Sequence, residues 1–181
     1  EFYFDDFAID RILTSFAQDS AITAGFYLPR LDNRGSLSLR VEGRKNNSIM
    51  FGHSTWIDGW SLNNMIMGDP LGPDAQSLHI SMSKNFSPTT RLHNQFYVER
   101  IDSNSYGGAP GHRAVTVNGL EEWRIRDVVS LDYKWNHWLS STFNLGYEHI
   151  KDFNFTSGAS RNDFLTQALM TFDTQKLLKK N

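Results

Sequence analysis

The fold is decided by the stretch Trp123-Arg-Ile-Arg-Asp-Val-Val-Ser-Leu-Asp-Tyr-Lys-Trp135. Every second residue from Trp123 to Trp135 is apolar or aromatic except Asp127, and the residues between them are mostly polar or charged. Successive side chains of a β-strand point to opposite faces, so this period of two predicts a strand with one apolar and one polar face.

The same alternation recurs along the rest of the chain, where apolar residues such as Leu78, Ile80 and Met82 alternate with polar ones. The pattern predicts eight strands, at residues 1–8, 21–30, 35–44, 76–86, 90–101, 122–135, 138–150 and 162–174. Helical periodicity is nearly absent, so the predicted fold class is all-β with antiparallel strands.

The connections between the predicted strands alternate in length. Short ones fall at residues 31–35, 85–89 and 135–138, and long ones at 9–20, 45–75, 102–121 and 151–161. Outer-membrane barrels have short turns at one end and long loops at the other. We therefore predict that residues 1–181 form one segment of an antiparallel transmembrane β-barrel in a bacterial outer membrane, in contact with its lipid. A soluble sandwich or lipocalin-like barrel is the alternative, and it explains the alternating lengths less well.

The composition excludes several classes of function. The 181 residues carry a formal net charge of −2 and no basic stripe, so we expect no nucleic-acid partner. The absence of cysteine rules out disulfides, cysteine-ligated metals and a thiol nucleophile. The segment Asp102-Ser-Asn-Ser-Tyr-Gly107 begins like a calcium loop, but Arg113 occupies the position where a bidentate Glu is needed. We predict no metal and no cofactor.

Two motifs resemble a known family. The first is Phe51-Gly-His-Ser-Thr-Trp-Ile-Asp-Gly-Trp60, continued by Met67-Gly-Asp-Pro-Leu-Gly-Pro-Asp74. The second is Phe4-Asp-Asp-Phe-Ala-Ile-Asp10, an acidic and aromatic strand end. In order and spacing they resemble the Wzi-type capsule-assembly family of outer-membrane proteins.

The resemblance implies both an architecture and a function. The architecture is a closed barrel of more than eight strands, of which this chain is the carboxyl-terminal part, so missing amino-terminal strands of the same protein are expected partners. The function is that of a surface lectin, which binds capsular polysaccharide and helps to attach it to the cell. We predict no enzymatic activity and no catalytic residue.

The long connections hold the candidate sugar-binding residues. Tryptophan rings stack on the apolar C–H faces of sugars, and Asp, Asn, His and Arg side chains bond the hydroxyls or carboxylates. We assign polysaccharide binding to His53, Trp56, Asp58, Trp60, Asn63, Asn64, Tyr106, Arg113 and Arg124. The tryptophans could instead pack a small core of the loop itself. The turn Asp69-Pro-Leu-Gly-Pro-Asp74 is predicted to be structural, because two prolines fix φ and Gly72 permits a positive φ.

Two rival functions use the polar face of the predicted strands. That face carries five arginines, Arg40, Arg44, Arg91, Arg124 and Arg126, against Glu42, Glu99 and Asp132. These arginines could line the pore of a generic, porin-like transport barrel, or they could belong to a charge-paired interior. A membrane hydrolase is less favoured, because His79 and Ser81 share a face without an acid placed beside them.

Overall fold

The computed structural model describes residues 1–4, 20–47, 61–62, 65–66, 71–72, 74–102 and 121–173. Their strands are β1 Phe2–Phe4, β2 Ser20–Leu28, β3 Leu37–Asn46, β4 Ser61–Leu62, β5 Met65–Ile66, β6 Ala75–Ser87, β7 Thr90–Asp102, β8 Glu121–Lys134, β9 Leu139–Lys151 and β10 Ser160–Phe172. Eight strands form one antiparallel sheet in the order β1-β2-β3-β6-β7-β8-β9-β10, and β4 and β5 pair separately.

The all-β, antiparallel prediction is confirmed. From β2 onward, the strands of the large sheet agree with the predicted ranges to within two residues at each end. Residues 45–75, predicted as one long loop, contain the short strands β4 and β5. Residues 5–8 of the first predicted strand lie outside the described residues. Within the described residues the sheet is open along β1 and β10, so barrel closure stays a prediction.

The connections divide the sheet into two ends. The β2–β3, β6–β7 and β8–β9 connections lie at one end, which we call the short-turn end. The β3–β6, β7–β8 and β9–β10 connections lie at the opposite end, the long-loop end. The last of these contains a 3-10 turn at Phe153–Phe155.

The two faces of the sheet differ in exposure, and the difference is the reverse of that in a soluble protein. The register places the apolar residues of neighbouring strands side by side on one face, which we call the outer face; Leu131, for example, lies between Leu92 and Phe143. In β8 these side chains are exposed, including Val129 at 37% and Leu131 at 42%, whereas those of β7 are half-buried. The opposite, inner face is largely polar, yet its residues in β8, from Glu122 to Asp132, are half-buried or buried. A soluble protein buries its apolar face instead.

Asp127, the polar exception in the decisive stretch, has a partner on the outer face. The amide of Asn94 in β7 donates a hydrogen bond of 2.6 Å to the carboxylate of Asp127 in β8. The register places Asp127 directly between Phe96 and Tyr147, within the apolar surface. The hydrogen bond offsets part of the cost of placing a polar group there.

The β2–β3 connection is built around Asp32. Its carboxylate accepts hydrogen bonds from the backbone N–H of Ser36 at 2.7 Å and of Leu37 at 3.1 Å. It also accepts a bond of 2.7 Å from the ammonium of Lys84 in β6. Hydrogen bonds from Lys84 and from the Ser36 hydroxyl hold the pKa of Asp32 well below its usual range. Gly35 closes the turn with a φ of 64°, which glycine adopts without steric cost.

Among the described residues, the buried apolar side chains lie at the long-loop end. Leu71, Ala75 and Ile101 form a small cluster on which Phe155 packs. Leu71 precedes β6, whereas Ala75 and Ile101 are paired residues of β6 and β7. Leu71 and Phe155 therefore cover part of the inner face at this end.

Gly25 marks the closest approach between two strands. It lies on the inner face of β2, directly opposite Glu42 of β3. A Cβ atom built on Gly25 would lie 2.4 Å from the carbonyl oxygen of Val41 and 2.9 Å from the Cα of Glu42. Both atoms belong to the backbone, so no side-chain rotation would relieve the clash. A side chain at this position would push β2 away from β3.

We predict that Gly25→Ala destabilises the protein by about 1–3 kcal/mol, the range for overpacking a closely packed site. Gly43→Ala is the matched control, because its Cβ would meet only the carbonyl oxygen of Ala24, at 3.8 Å. The midpoint of urea unfolding in detergent micelles, followed by tryptophan fluorescence, measures both variants. Equal midpoints for Gly25→Ala and Gly43→Ala would contradict the close approach.

Candidate functional site

Most of the predicted polysaccharide-binding residues fall where the structure is not described. These are His53, Trp56, Asp58, Trp60, Asn63, Asn64, Tyr106 and Arg113. Their assignment stays a prediction. Arg124 is described, and it lies on the inner face of β8 near the long-loop end.

A cap of two residues, Leu71 and Gly72, covers the inner face at this end. Leu71 is 7% exposed and packs on Ala75 and Ile101. The carbonyl of Gly72 accepts a hydrogen bond of 2.8 Å from the side-chain amide of Asn46, at the end of β3. Gly72 has a φ of 71°, a conformation that glycine adopts without steric cost. The cap thus anchors the β3–β6 connection to the inner face, as expected of a structural turn.

The β9–β10 connection is tied to the same end by Glu122. One carboxylate oxygen of Glu122 accepts a hydrogen bond of 2.7 Å from the backbone N–H of Asn154. The other accepts one of 2.6 Å from the Nε of Arg124. Glu122 is 2% exposed, and the neighbouring Phe155 packs on the cluster beneath the cap. Arg124, the predicted sugar-binding residue, is therefore held by a buried carboxylate that also fixes a connection.

A cavity of about 320 Å³ lies beneath the cap. Leu71 and Ile101 contribute its apolar lining. Its polar lining comes from two adjacent cross-strand rows of the inner face. One row is Arg44, Ser77, Glu99 and Arg124, and the other is Glu42, His79, Tyr97 and Arg126.

The second row continues as a belt across the inner face. His79, Tyr97 and Arg126 are direct neighbours on β6, β7 and β8. The rings of His79 and Tyr97 stack with centroids 4.3 Å apart, and the guanidinium of Arg126 lies 4.6 Å from the centre of the Tyr97 ring. Because Tyr97 lies between the two strands, both of its ring faces are covered. Glu42 extends the belt at one side and Glu148 at the other.

The arginines of the inner face have carboxylate or hydroxyl partners. Arg40 bonds Glu42 at 2.6 Å, and Arg126 contacts Glu99 at 3.3 Å and Glu148 at 3.8 Å. Further pairs, listed by cation, are Arg44 with Glu42, Arg124 with Glu122, and Arg91 with the Ser83 hydroxyl. Of the two predicted interpretations of this face, the structure favours the charge-paired interior.

The inner face also contains a serine–histidine contact that the sequence analysis missed. The hydroxyl of Ser83 lies 2.6 Å from Nδ1 of His93, and it accepts a hydrogen bond from Arg91. Ser83 is buried, and within the described residues no carboxylate hydrogen-bonds His93. His79, proposed with Ser81 as the hydrolase pair, instead stacks on Tyr97. The contacts therefore fit structural pairing better than nucleophilic catalysis.

A second cavity within the described residues lies at the short-turn end. It has a volume of about 440 Å³ and is lined by residues of the β6–β7 and β8–β9 connections, including Pro88 and Trp138. It lies at the opposite end of β8 from Arg124. We therefore place the candidate site at the long-loop end.

No group of three or more His, Cys, Asp or Glu side chains among the described residues is placed to hold a metal ion. None of the helical segments in the described ranges has the length and apolar character to cross a membrane.

Comparison with known proteins identifies the family. The family model described as "Capsule assembly protein Wzi" matches residues 1–165, which is most of the chain. Neither the curated proteins nor the solved structures include a significant match. The matched range includes the cap, the belt and Arg124. The chain therefore belongs to the Wzi family of capsule assembly proteins, and its role is in capsule assembly.

Proposed function

We propose that this chain forms part of the wall of a closed β-barrel in the bacterial outer membrane, and that the barrel is a lectin. Its long loops bind capsular polysaccharide at the cell surface and help to attach the capsule. The observation that carries the proposal is the inverted exposure of the two faces, with exposed apolar residues opposite a charged, half-buried face. That inversion is what a lipid-facing barrel wall requires.

The dimensions of β8 support a membrane position. Twelve residue steps separate Trp123 from Trp135, and at about 3.3 Å per residue and a tilt of about 40° they rise about 30 Å. This matches the thickness of the hydrocarbon core of a bilayer. Trp123 and Trp135 therefore lie at the heights of the two membrane–water interfaces, where Trp and Tyr residues are enriched.

Lipid would not tolerate the open edges of β1 and β10. In the hydrocarbon region each unpaired backbone N–H or C=O costs several kcal/mol. We propose that these edges pair with further strands of the same protein and so close a larger barrel. The exposed outer residues of β10, including Phe164 and Phe172, are consistent with a lipid-facing strand.

The sugar site is proposed at the long-loop end. Trp56 and Trp60 would stack on sugar rings, and His53, Asp58, Asn63 and Asn64 would bond their hydroxyls. Tyr106 and Arg113 would add contacts from the β7–β8 connection. Arg124 lies at the inner-face edge of this end, where a polysaccharide bound by the loops would reach the lumen.

A transport barrel is the second candidate, because arginines line the inner face. Their carboxylate partners and the belt across the inner face favour an occluded lumen. Conductance in a planar bilayer separates the two functions, since a lectin with a filled lumen will not conduct. A hydrolase would instead turn over lipid or peptide, and would lose that turnover on His79→Ala.

We predict that Leu131→Arg destabilises the barrel in lipid vesicles by roughly 2–4 kcal/mol, the cost of a cation on the lipid face near the midplane. Ser130→Arg is the control, because it adds the same side chain one residue away on the inner face. Urea unfolding in vesicles measures both. Equal loss of stability in the two variants would argue against a lipid-facing outer surface.

For the sugar site, we predict that Trp56→Ala combined with Trp60→Ala weakens binding of the cognate capsular polysaccharide about 30-fold. This corresponds to a loss of about 1 kcal/mol of stacking for each ring. Binding of labelled polysaccharide to purified protein in detergent provides the measurement, and retained urea stability shows that the variant folds.

Trp135→Ala is the control for that experiment, because it removes an equivalent ring at the short-turn end, where Trp135 is 59% exposed. It should leave polysaccharide affinity unchanged. If the double variant folds and binds polysaccharide as tightly as the native protein, the site does not include these tryptophans.

A further inference from the structure

We propose that the β2–β3 turn binds the phosphate group of an anionic phospholipid in the periplasmic leaflet of the outer membrane. The two side chains that contact the phosphate are Arg30 and Arg34. This inference rests on the barrel-wall part of the proposed function and goes beyond it, because it assigns a lipid partner to the short-turn end. It does not depend on the polysaccharide site at the opposite end.

The turn is held in one shape by contacts that use neither arginine. The carboxylate of Asp32 accepts hydrogen bonds from the backbone N–H groups of Ser36 and Leu37. The ammonium of Lys84 in β6 lies 2.7 Å from the same carboxylate and neutralises its charge. The shape of the turn is therefore set before a ligand arrives, and Asp32 is already paired. A preformed site of this kind loses little conformational entropy on binding.

The side chain of Arg30 lies back across this turn. A Cβ atom built at Gly35 would lie 3.5 Å from both Cγ and Cδ of Arg30 and 3.6 Å from its Nε. Gly35 directly follows Arg34, so the turn brings the stem of one arginine beside the backbone that carries the other. Both arginines are exposed. Two guanidinium groups are thus presented to the surroundings by one short, fixed segment.

The strand ends around this turn carry an excess of positive charge. Lysines and arginines outnumber carboxylates by five to one in residues 24–41 and 80–96. The cations are Arg30, Arg34, Arg40, Lys84 and Arg91, and the carboxylate is Asp32. Lys84 is paired with Asp32, Arg40 is paired with Glu42, and Arg91 lies opposite Asp132. The guanidinium groups of Arg30 and Arg34 have no hydrogen-bond or ion-pair partner among the described residues, so two positive charges remain.

The basic turn begins where the apolar outer face ends. Leu28 of β2 and Leu39 of β3 form the last register pair before the turn, on the outer face. Leu28, Leu31 of the turn and Phe86 at the end of β6 are exposed apolar side chains. A barrel in lipid places such side chains among acyl chains and the cations that follow them at the depth of the headgroups. This apolar border favours a phospholipid over a soluble acidic polymer.

The chemistry of the two side chains suits a phosphate. A guanidinium presents a planar fork of N–H donors that matches phosphate oxygens, and charge-assisted bonds of this kind are about twice as strong as neutral ones. Attraction to an anionic membrane surface is worth about fivefold in affinity for each cation. Salt screens part of this attraction, so we expect the two arginines to favour an anionic over a zwitterionic phospholipid at least fivefold.

The test uses the full protein in micelles of a neutral detergent. The chain has no cysteine, so Asn33→Cys provides a single attachment point, at an exposed position of the turn, for an environment-sensitive fluorophore. Phosphatidylglycerol and phosphatidylcholine with the same acyl chains are titrated into separate samples. We expect phosphatidylglycerol to change the fluorescence at a lipid fraction at least fivefold lower. Arg30→Gln combined with Arg34→Gln should remove this preference and leave the midpoint of urea unfolding unchanged.

Lys45→Gln combined with Lys151→Gln is the matched control, because it removes the same charge at the long-loop end, where both lysines are exposed. The preference for phosphatidylglycerol should persist in this variant. An equal response to the two lipids overturns the inference, and so does a preference that survives the loss of both arginines.

Two soluble probes distinguish the source of the anion. Inorganic phosphate and polyglutamate, each added without phospholipid, should leave the fluorescence unchanged at the concentration at which phosphatidylglycerol acts. An equal response to inorganic phosphate would indicate a site for free phosphate, and an equal response to polyglutamate would indicate a soluble polyanion. Either result overturns the assignment of a lipid.

Binding of labelled capsular polysaccharide to the same protein separates this inference from the proposed function. If the polysaccharide binds and the preference for phosphatidylglycerol is absent, the lipid site is refuted and the lectin function stands. If the preference depends on Arg30 and Arg34 but the polysaccharide does not bind, the lipid site is supported and the lectin function fails.

Discussion

The register of the antiparallel sheet is the constraint on which the other features depend. Side chains alternate between faces with a period of two, so a slip of one residue between β7 and β8 would move Arg126 to the outer face and bring Val129 inward. The observed register instead aligns His79, Tyr97 and Arg126 in one inner row. The next row along the strands is an outer one, in which Ile80, Phe96 and Asp127 are aligned.

Contacts at both ends hold this register. At the short-turn end, Asp32 accepts hydrogen bonds from its own connection and from Lys84, which links β6 to the β2–β3 turn. At the long-loop end, Asn46 holds the carbonyl of Gly72, and Glu122 holds the amide of Asn154. The register thus links the fold to the site, because the same rows that it aligns carry the charges and rings of the cavity.

The sequence predicts the local features well and the non-local ones poorly. Alternation between Trp123 and Trp135 was sufficient to predict a strand and the faces of Val128 and Val129, because side-chain direction depends only on position along the strand. The belt could not be predicted, since it depends on which residues of three strands lie opposite one another. The position of a residue along its strand fixes its face, and it places His79 and Arg126 on the polar face. That position is the signal that could have indicated these two belt residues.

Arg124 was assigned correctly to the inner face. Its bond to Glu122 arises because the two residues lie at i, i+2 positions on one strand and Glu122 is buried.

The central claim is that the outer face contacts lipid while the inner face does not. Val128 and Val129 test it most directly, because they are identical side chains on opposite faces of β8. Spin labels placed singly at the two positions, in protein reconstituted into lipid vesicles, report their exposure to oxygen and to a water-soluble nickel complex. The account predicts that oxygen relaxes the label at 129 more strongly than that at 128, and that the nickel complex does not reach position 129. Strong relaxation of the label at 129 by the nickel complex would contradict the account.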